Sequence, residues 1–238
     1  MLTPINNFNN IFKFDLRGRK SVNIITIKDS SNVDLETVKN IAAHILNEKI
    51  VVLPAKTIYG LSCAYNSSKA IDKIYIIKER ESSMPFIILF SKLRSIKDFT
   101  ENISRMQEKI IKYFWDRKEP LPLTVVFKKN KKLDSFITGE KDTVALRRAE
   151  FKFVRDIIDN SMPVISTSAT ISKTDLKPLT VKNIPQKILE NADLIVKLQE
   201  KLLGIESTII DASGTEIKLV RQGAVNFNDI LQKLQIKI

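Results

Sequence analysis

From residue 22 onward the chain alternates between short apolar runs and longer stretches of helical period. That alternation constrains the fold more than any single residue does. The runs at 22–27 ("VNIITI"), 50–54 ("IVVLP"), 86–90 ("FIILF"), 123–129, 143–148, 163–167, 194–198, 207–212 and 216–223 read as strands. Between them, 30–49, 67–80, 102–114, 151–160 and 227–237 read as helices. In the first of these, Val38, Ile41, Ala42, Ile45 and Leu46 recur at three- and four-residue spacing, so one face is expected to pack on a sheet. Ser67 stands where a cap would open the second. Strands interleaved with helices, and no Pro/Gly/Ser-rich linker, predict one α/β domain with a mixed sheet over 21–238. Residues 1–20, rich in Asn and Phe without a clean period, are expected to form a partly ordered extension.

The composition narrows the chemistry. A formal charge of +12 over 238 residues favours phosphate-bearing partners such as nucleotides or RNA. Lysines outnumber arginines and the chain is rich in Ile and Asn, a bias that codon usage alone produces, so basicity does not by itself identify a nucleic-acid binder. One cysteine, Cys63, excludes an intrachain disulfide; with the single His44 it also excludes a zinc site of finger type. Cys63 reads as a small buried hydrophobe, and His44 as a residue at the rim of the first helix's apolar face. No apolar run reaches the ~18 residues of a membrane helix, and the polar N-terminus lacks a signal-peptide core, so a cytoplasmic protein is expected. The glycine-rich phosphate loops GxGxxG and GxxxxGK[ST] are missing, as are the GxSxG elbow and the kinase motifs. A nucleotide site in this chain would rely on side-chain cations and hydroxyls.

Four apolar runs border on small, hydroxylated or cationic residues: "VVLPAKTIYGL", "KERESSMPFIILF", "LPLTVVF" and "PVISTSATISK". In the first, Tyr59-Gly60 reads as a tight turn after the strand, with Lys56 and Thr57 at the strand's exit. In the second, Lys78 and Arg80 are two apart and would face opposite ways on a continuous helix. For them to act together the helix must stop near 78, and Pro85 favours a break. In the fourth, Ser166, Thr167, Ser168 and Thr170 could cap a helix or ring a phosphate or carboxylate with donors.

Taken together and in order, these stretches resemble the threonylcarbamoyl-AMP synthase (YrdC-like) family. That family's pattern runs P-T-D-T-x-Y-G-L, K-x-R, P-L-I-V, F-W-P-G-P-L-T, V-x-R, P-x-x-x-T-S-A-N-x-S-G, S-T-I-x-D and R-x-G-A. Here the matching stretches are "PAKTIYGL", "KER", "PFIIL", "YFWDRKEPLPLT", "TVALR", "PVISTSATISK", "STIID" and "RQGA", over about residues 22–235. The resemblance implies a twisted mixed sheet flanked by helices around a large basic cavity. It also implies a synthase that joins L-threonine, bicarbonate and ATP, with Mg²⁺, into threonylcarbamoyl-AMP and pyrophosphate, for a separate transferase that makes t⁶A on tRNA. By the same resemblance Lys78, Arg80, Ser168 and Thr170 stand at the catalytic tetrad, Thr170 in place of its asparagine. Thr57, Tyr59 and Thr124 match substrate-binding positions; Arg147, Ser207 and Arg221 match positions on the nucleotide side. No protein metal ligands are expected. Ending at its last helix, the chain resembles the family's short form.

Three departures qualify the match. Ala55 and Lys56 replace the first threonine and the acid of P-T-D-T, Ser172-Lys173 follows the altered S-A-N, and "DRKEPLP" lengthens a tight turn. Exchanging an acid for a lysine changes local charge by two units, and a charge pair at ~4 Å is worth about 4 kcal/mol at an effective dielectric of ~20. Two expectations follow: Lys56 shares in binding ATP, or the chain is a divergent RNA- or nucleotide-binding relative with little synthase activity.

Overall fold

The computed structural model describes residues 22–172, 174 and 176–236. The proposed extension 1–20 lies outside the described residues. Ten strands among these form one sheet, in the order β1 (Asn23–Ile27), β8 (Leu194–Leu198), β2 (Val51–Pro54), β3 (Tyr59–Ala64), β7 (Val164–Ser168), β4 (Ile87–Phe90), β6 (Thr143–Arg148), β5 (Leu123–Lys128), β9 (Thr208–Asp211) and β10 (Lys218–Arg221). Among these strands, four parallel pairs (β1/β8, β2/β8, β4/β6, β5/β9) stand with five antiparallel ones, so the sheet is mixed, as the interleaved strands and helices predict.

Helices α1 (Leu35–Leu46), α2 (Ser68–Lys78), α3 (Ile96–Phe99), α4 (Arg105–Ile110), α5 (Ser135–Thr138), α6 (Lys152–Asp159), α7 (Gln186–Asn191) and α8 (Phe227–Leu234) flank the sheet. In α1 the apolar stripe buries Val38, Ile41, Ala42 and Ile45, and Asp34 caps the N-terminus by accepting Thr37 N–H. Leu46, expected on that stripe, is exposed: at 100° per residue it falls at the edge of the face centred on Val38, Ile41, Ala42 and Ile45. The serine cap of α2 is present, with Ser67 Oγ accepting from Ala70 N–H. Residues expected as one helix over 102–114 divide into α4 and a π-helical turn, Ile111–Trp115. That turn buries Trp115, whose Nε1–H donates to Leu123 O at 3.0 Å and whose ring meets Phe90 edge-on.

One reading of the sequence is corrected. Tyr59-Gly60 is no turn: both residues open β3, which pairs with β2 from Pro54↔Tyr59 to Val51↔Ser62. The reversal is made earlier, over 55–58, closed by Ala55 N–H to Ile58 O. Glycine is needed at 60 because of the neighbouring strand. A Cβ there would sit 2.5 Å from Ser166 Oγ and 3.3 Å from Thr167 O. β3 went unread because its six residues are all buried and carry no two-residue alternation.

Candidate functional site

The sheet register builds the floor of a cavity. Ser62, Ser166, Ile87, Ala145, Val126 and Asp211 lie in one row across β3, β7, β4, β6, β5 and β9. Along the strands, Ser166 and Ser168, Ile87 and Leu89, Thr143, Ala145 and Arg147, and Ile209 and Asp211 present alternate side chains to the same space. Above that row lies a hollow of about 610 Å³. Lys78, Arg80, Lys141, Arg147 and Arg221 line it against two carboxylates, Glu206 and Asp211. The cavity is therefore net positive, in agreement with a site that binds anions without a glycine loop.

Lys78 and Arg80 reach this wall by the break their spacing requires. Helix α2 ends at Lys78, and Glu79 takes a left-handed conformation (φ 53°, ψ 46°). Arg80 N–H then bonds back to Tyr75 O, closing a Schellman-type end. Lys78 Nζ donates to Ser168 O, Thr170 O and Ser168 Oγ, so all its donors are used at the end of β7 and in the turn that follows. Ser168 Oγ and Thr170 Oγ1 are 2.9 Å apart. Burial and the neighbouring Arg80 push the Lys78 amine down to about 7. Arg80 donates from Nη1 to Thr167 Oγ1 (2.8 Å) and from Nη2 to Pro85 O (2.7 Å), with its plane over Phe86. Its buried Nε has no partner among the described residues. Burial lowers its pKa from the usual guanidinium value.

A second cation group stands on the opposite wall. Arg147 is held by Glu150 through Nε–H (2.7 Å) and Nη2–H (2.9 Å), and Nη2 also donates to Thr57 Oγ1 at 3.1 Å. Arg221 spans Ser207 O and Oγ and pairs with Glu206 at 2.8 Å. Behind Ser207, the fully buried Thr124 shares a 2.9 Å hydroxyl contact with it and does not line the cavity itself.

Two further positions face elsewhere. Tyr59 borders the cavity, but its hydroxyl is taken up by β8, where it accepts Leu198 N–H at 2.8 Å. Lys56 is not among the lining residues. Its ammonium meets Glu119 at 3.2 Å, so the residue replacing the family's acid pairs with a carboxylate from the lengthened 116–122 segment. Arg148, to Trp115 O and Arg117 O, and Arg155, to Lys118 O, anchor that segment. Cys63 is buried, its thiol pushed up by burial, and His44 is half-buried on α1 with its Nδ1 at Asn40 O, so the two form no nucleophilic pair.

Glu150, Glu206, Asp211 and Lys141 belong to the site without having been read from the sequence. For Glu150 the available signal was an acid three residues after Arg147 at a strand end; for Asp211, it was the D of "STIID". No helix of the described residues is long and apolar enough to cross a membrane, and no cluster of three or more metal-ligating side chains occurs among them.

Known proteins resemble this chain in sequence and fold. The Sua5/YciO/YrdC family model, described as telomere recombination, matches residues 43–223. A threonylcarbamoyl-AMP synthase of Pyrococcus abyssi is 30% identical over 192 residues, 80% of this chain and 55% of that protein. One from Bacillus subtilis is 24% identical over 208 residues, 87% of this chain and 59% of that protein. The structure of P. abyssi Sua5 complexed with L-threonine superimposes with a TM-score of 0.81 at 27% identity, over 88% of this chain and 60% of that one. Escherichia coli YciO, at 16% identity and a TM-score of 0.75, shares the fold over 90% of this chain and 98% of its own. The chain thus spans little more than half the length of several relatives it matches.

Proposed function

The chain belongs to the Sua5/YciO/YrdC family, and from that premise we propose that it is a nucleotidyltransferase that forms threonylcarbamoyl-AMP and pyrophosphate from L-threonine, bicarbonate and ATP. The observation that carries this reading is the meeting of Lys78, Arg80, Ser168 and Thr170 on one wall of a basic cavity. The threonine held by the P. abyssi structure supports the amino-acid substrate by analogy. In the proposed reaction the threonine amine bonds to the carbon of bicarbonate with loss of water, or to CO₂ with release of a proton to solvent, giving a carbamate. A carbamate oxygen then bonds to the α-phosphorus as the bond to pyrophosphate breaks.

Negative charge that develops on the phosphates meets cations already in place, which stabilise it without reorganisation. Arg80 faces the cavity with two backed Nη groups, and Arg147 and Arg221 stand opposite. Lys78 contributes differently: its donors hold the 168–170 turn, so it presents the Ser168 and Thr170 hydroxyls. Magnesium, carried by the triphosphate, would neutralise phosphate charge; the hard oxygen donors of Asp211 and Glu206 are the lining groups that suit it. The product would feed t⁶A synthesis on tRNA through a separate transferase.

The test is incubation with ATP, Mg²⁺, L-threonine and labelled bicarbonate, following pyrophosphate and labelled threonylcarbamoyl-AMP. Product is expected with the native chain, and a loss of about 100-fold or more with Arg80→Ala. ATP binding with no product would make the chain a nucleotide-binding relative without the synthase step.

A further inference from the structure

We infer that Glu150 is a positioning residue for the nucleotide side of the cavity, acting through Arg147. This rests on the proposed function, in which Arg147 contacts the nucleotide. Arg147 lines the cavity and Glu150 does not. The carboxylate grips two guanidinium nitrogens of Arg147, at 2.7 and 2.9 Å, a fork-to-fork contact that fixes both distance and plane. The two side chains are 7% and 2% exposed, so solvent does not loosen the pair.

Glu150 is itself held. After β6 the chain turns into α6, and Arg155 from that helix donates to both Ala149 O and Glu150 O. Ala149 N–H bonds Phe90 O, which ties the same turn to the end of β4. On the far side of Arg147, the buried Thr57 accepts from Nη2. With Nε and Nη2 occupied, Nη1 is the part of the guanidinium with no protein hydrogen bond among the described residues, and it is the part left for a ligand.

A buried ion pair is a weak source of stability, since apolar side chains of the same volume often serve as well. Its consequence here is directional: a long, flexible cation is held in one pose before any ligand arrives, and the ordering cost is met in advance. Without the carboxylate, Arg147 would keep its charge and lose its aim. Glu150→Gln retains the shape and one acceptor, but gives up the charge and the second grip on the fork.

The experiment is titration of the full chain with ATP, in wild type, Glu150→Gln, Glu150→Asp, Arg147→Met and Arg147→Met/Glu150→Gln, with unfolding curves for each. The expected result is about tenfold weaker ATP binding in Glu150→Gln, the size of one lost charge-assisted contact. Partial recovery in Glu150→Asp and no further loss when Glu150→Gln is added to Arg147→Met are also expected. Thr57→Val, which removes the other contact on Arg147, should weaken ATP in the same direction, and provides the test if Glu150→Gln fails to fold. Wild-type affinity in a folded Glu150→Gln, or equal loss in both backgrounds, overturns the positioning role alone. A wild-type chain that binds no ATP overturns the nucleotide reading and this role with it.

Discussion

Lys78 combines two opposed influences at a single residue. Three acceptors favour its ammonium, while burial and Arg80 lower the amine from 10.5 to about 7. Between about pH 7 and 10.5 the unfolded chain holds a proton on this lysine that the folded chain has released. The unfolded state then binds more protons, so stability rises with pH across that window, and the penalty is fully present below it. Urea unfolding at several pH values should therefore show wild type gaining on Lys78→Met by up to about 1.4 kcal/mol per pH unit above 7. A constant difference would mean that the three acceptors hold the proton. Lys56, by contrast, is a partly exposed cation paired with a 74%-exposed Glu119, an arrangement of small energetic weight. The charge expected to act on ATP is met by an acid from the segment that departs from the family pattern alongside it.

At the level of elements, the end of α2 decides whether two cations serve one site. A helix continued past Lys78 would point Arg80 away from Ser168; the left-handed Glu79 turns the chain so that both side chains reach the β7 end. A non-glycine residue in that region costs on the order of 1–2 kcal/mol, and the Tyr75 O bond and the exposed Lys187 pair help to offset it. Glu79→Val, whose branched Cβ fits that region poorly, should destabilise the fold by about 1–2 kcal/mol and lower activity, whereas Glu79→Gly should keep both. Thermal unfolding with the pyrophosphate assay distinguishes the two. The need for this break was legible from the K-x-R spacing and Pro85; the αL glutamate that makes it was not, because glutamate carries no turn signature.

For the whole molecule, the cavity is a product of register. The row Ser62–Ser166–Ile87–Ala145–Val126–Asp211 joins residues from six strands spread between positions 62 and 211. Gly60, paired with Ser168, lets β3 and β7 approach beside that row. Gly60→Ala should cost about 1–3 kcal/mol through overpacking against Ser166 Oγ, and should weaken ligand binding by pushing the floor upward. Adding Ser166→Gly should restore much of both, as read by unfolding and ATP titration. An unaltered Gly60→Ala would show that the strands yield freely there.

The chain alone determined the α/β class, all of the strands except β3, and the positions where cations and hydroxyls border apolar runs, because period and side-chain chemistry are local properties. The opening helix cap at Ser67 and the break after Lys78 were legible for the same reason. Only the tertiary structure decided which polar groups face one another. It turned the Tyr59 hydroxyl toward β8, set Thr124 behind Ser207, joined Lys56 to Glu119, and placed Glu150 under Arg147. Those outcomes depend on strand register and on which loops meet in space, which no local pattern specifies.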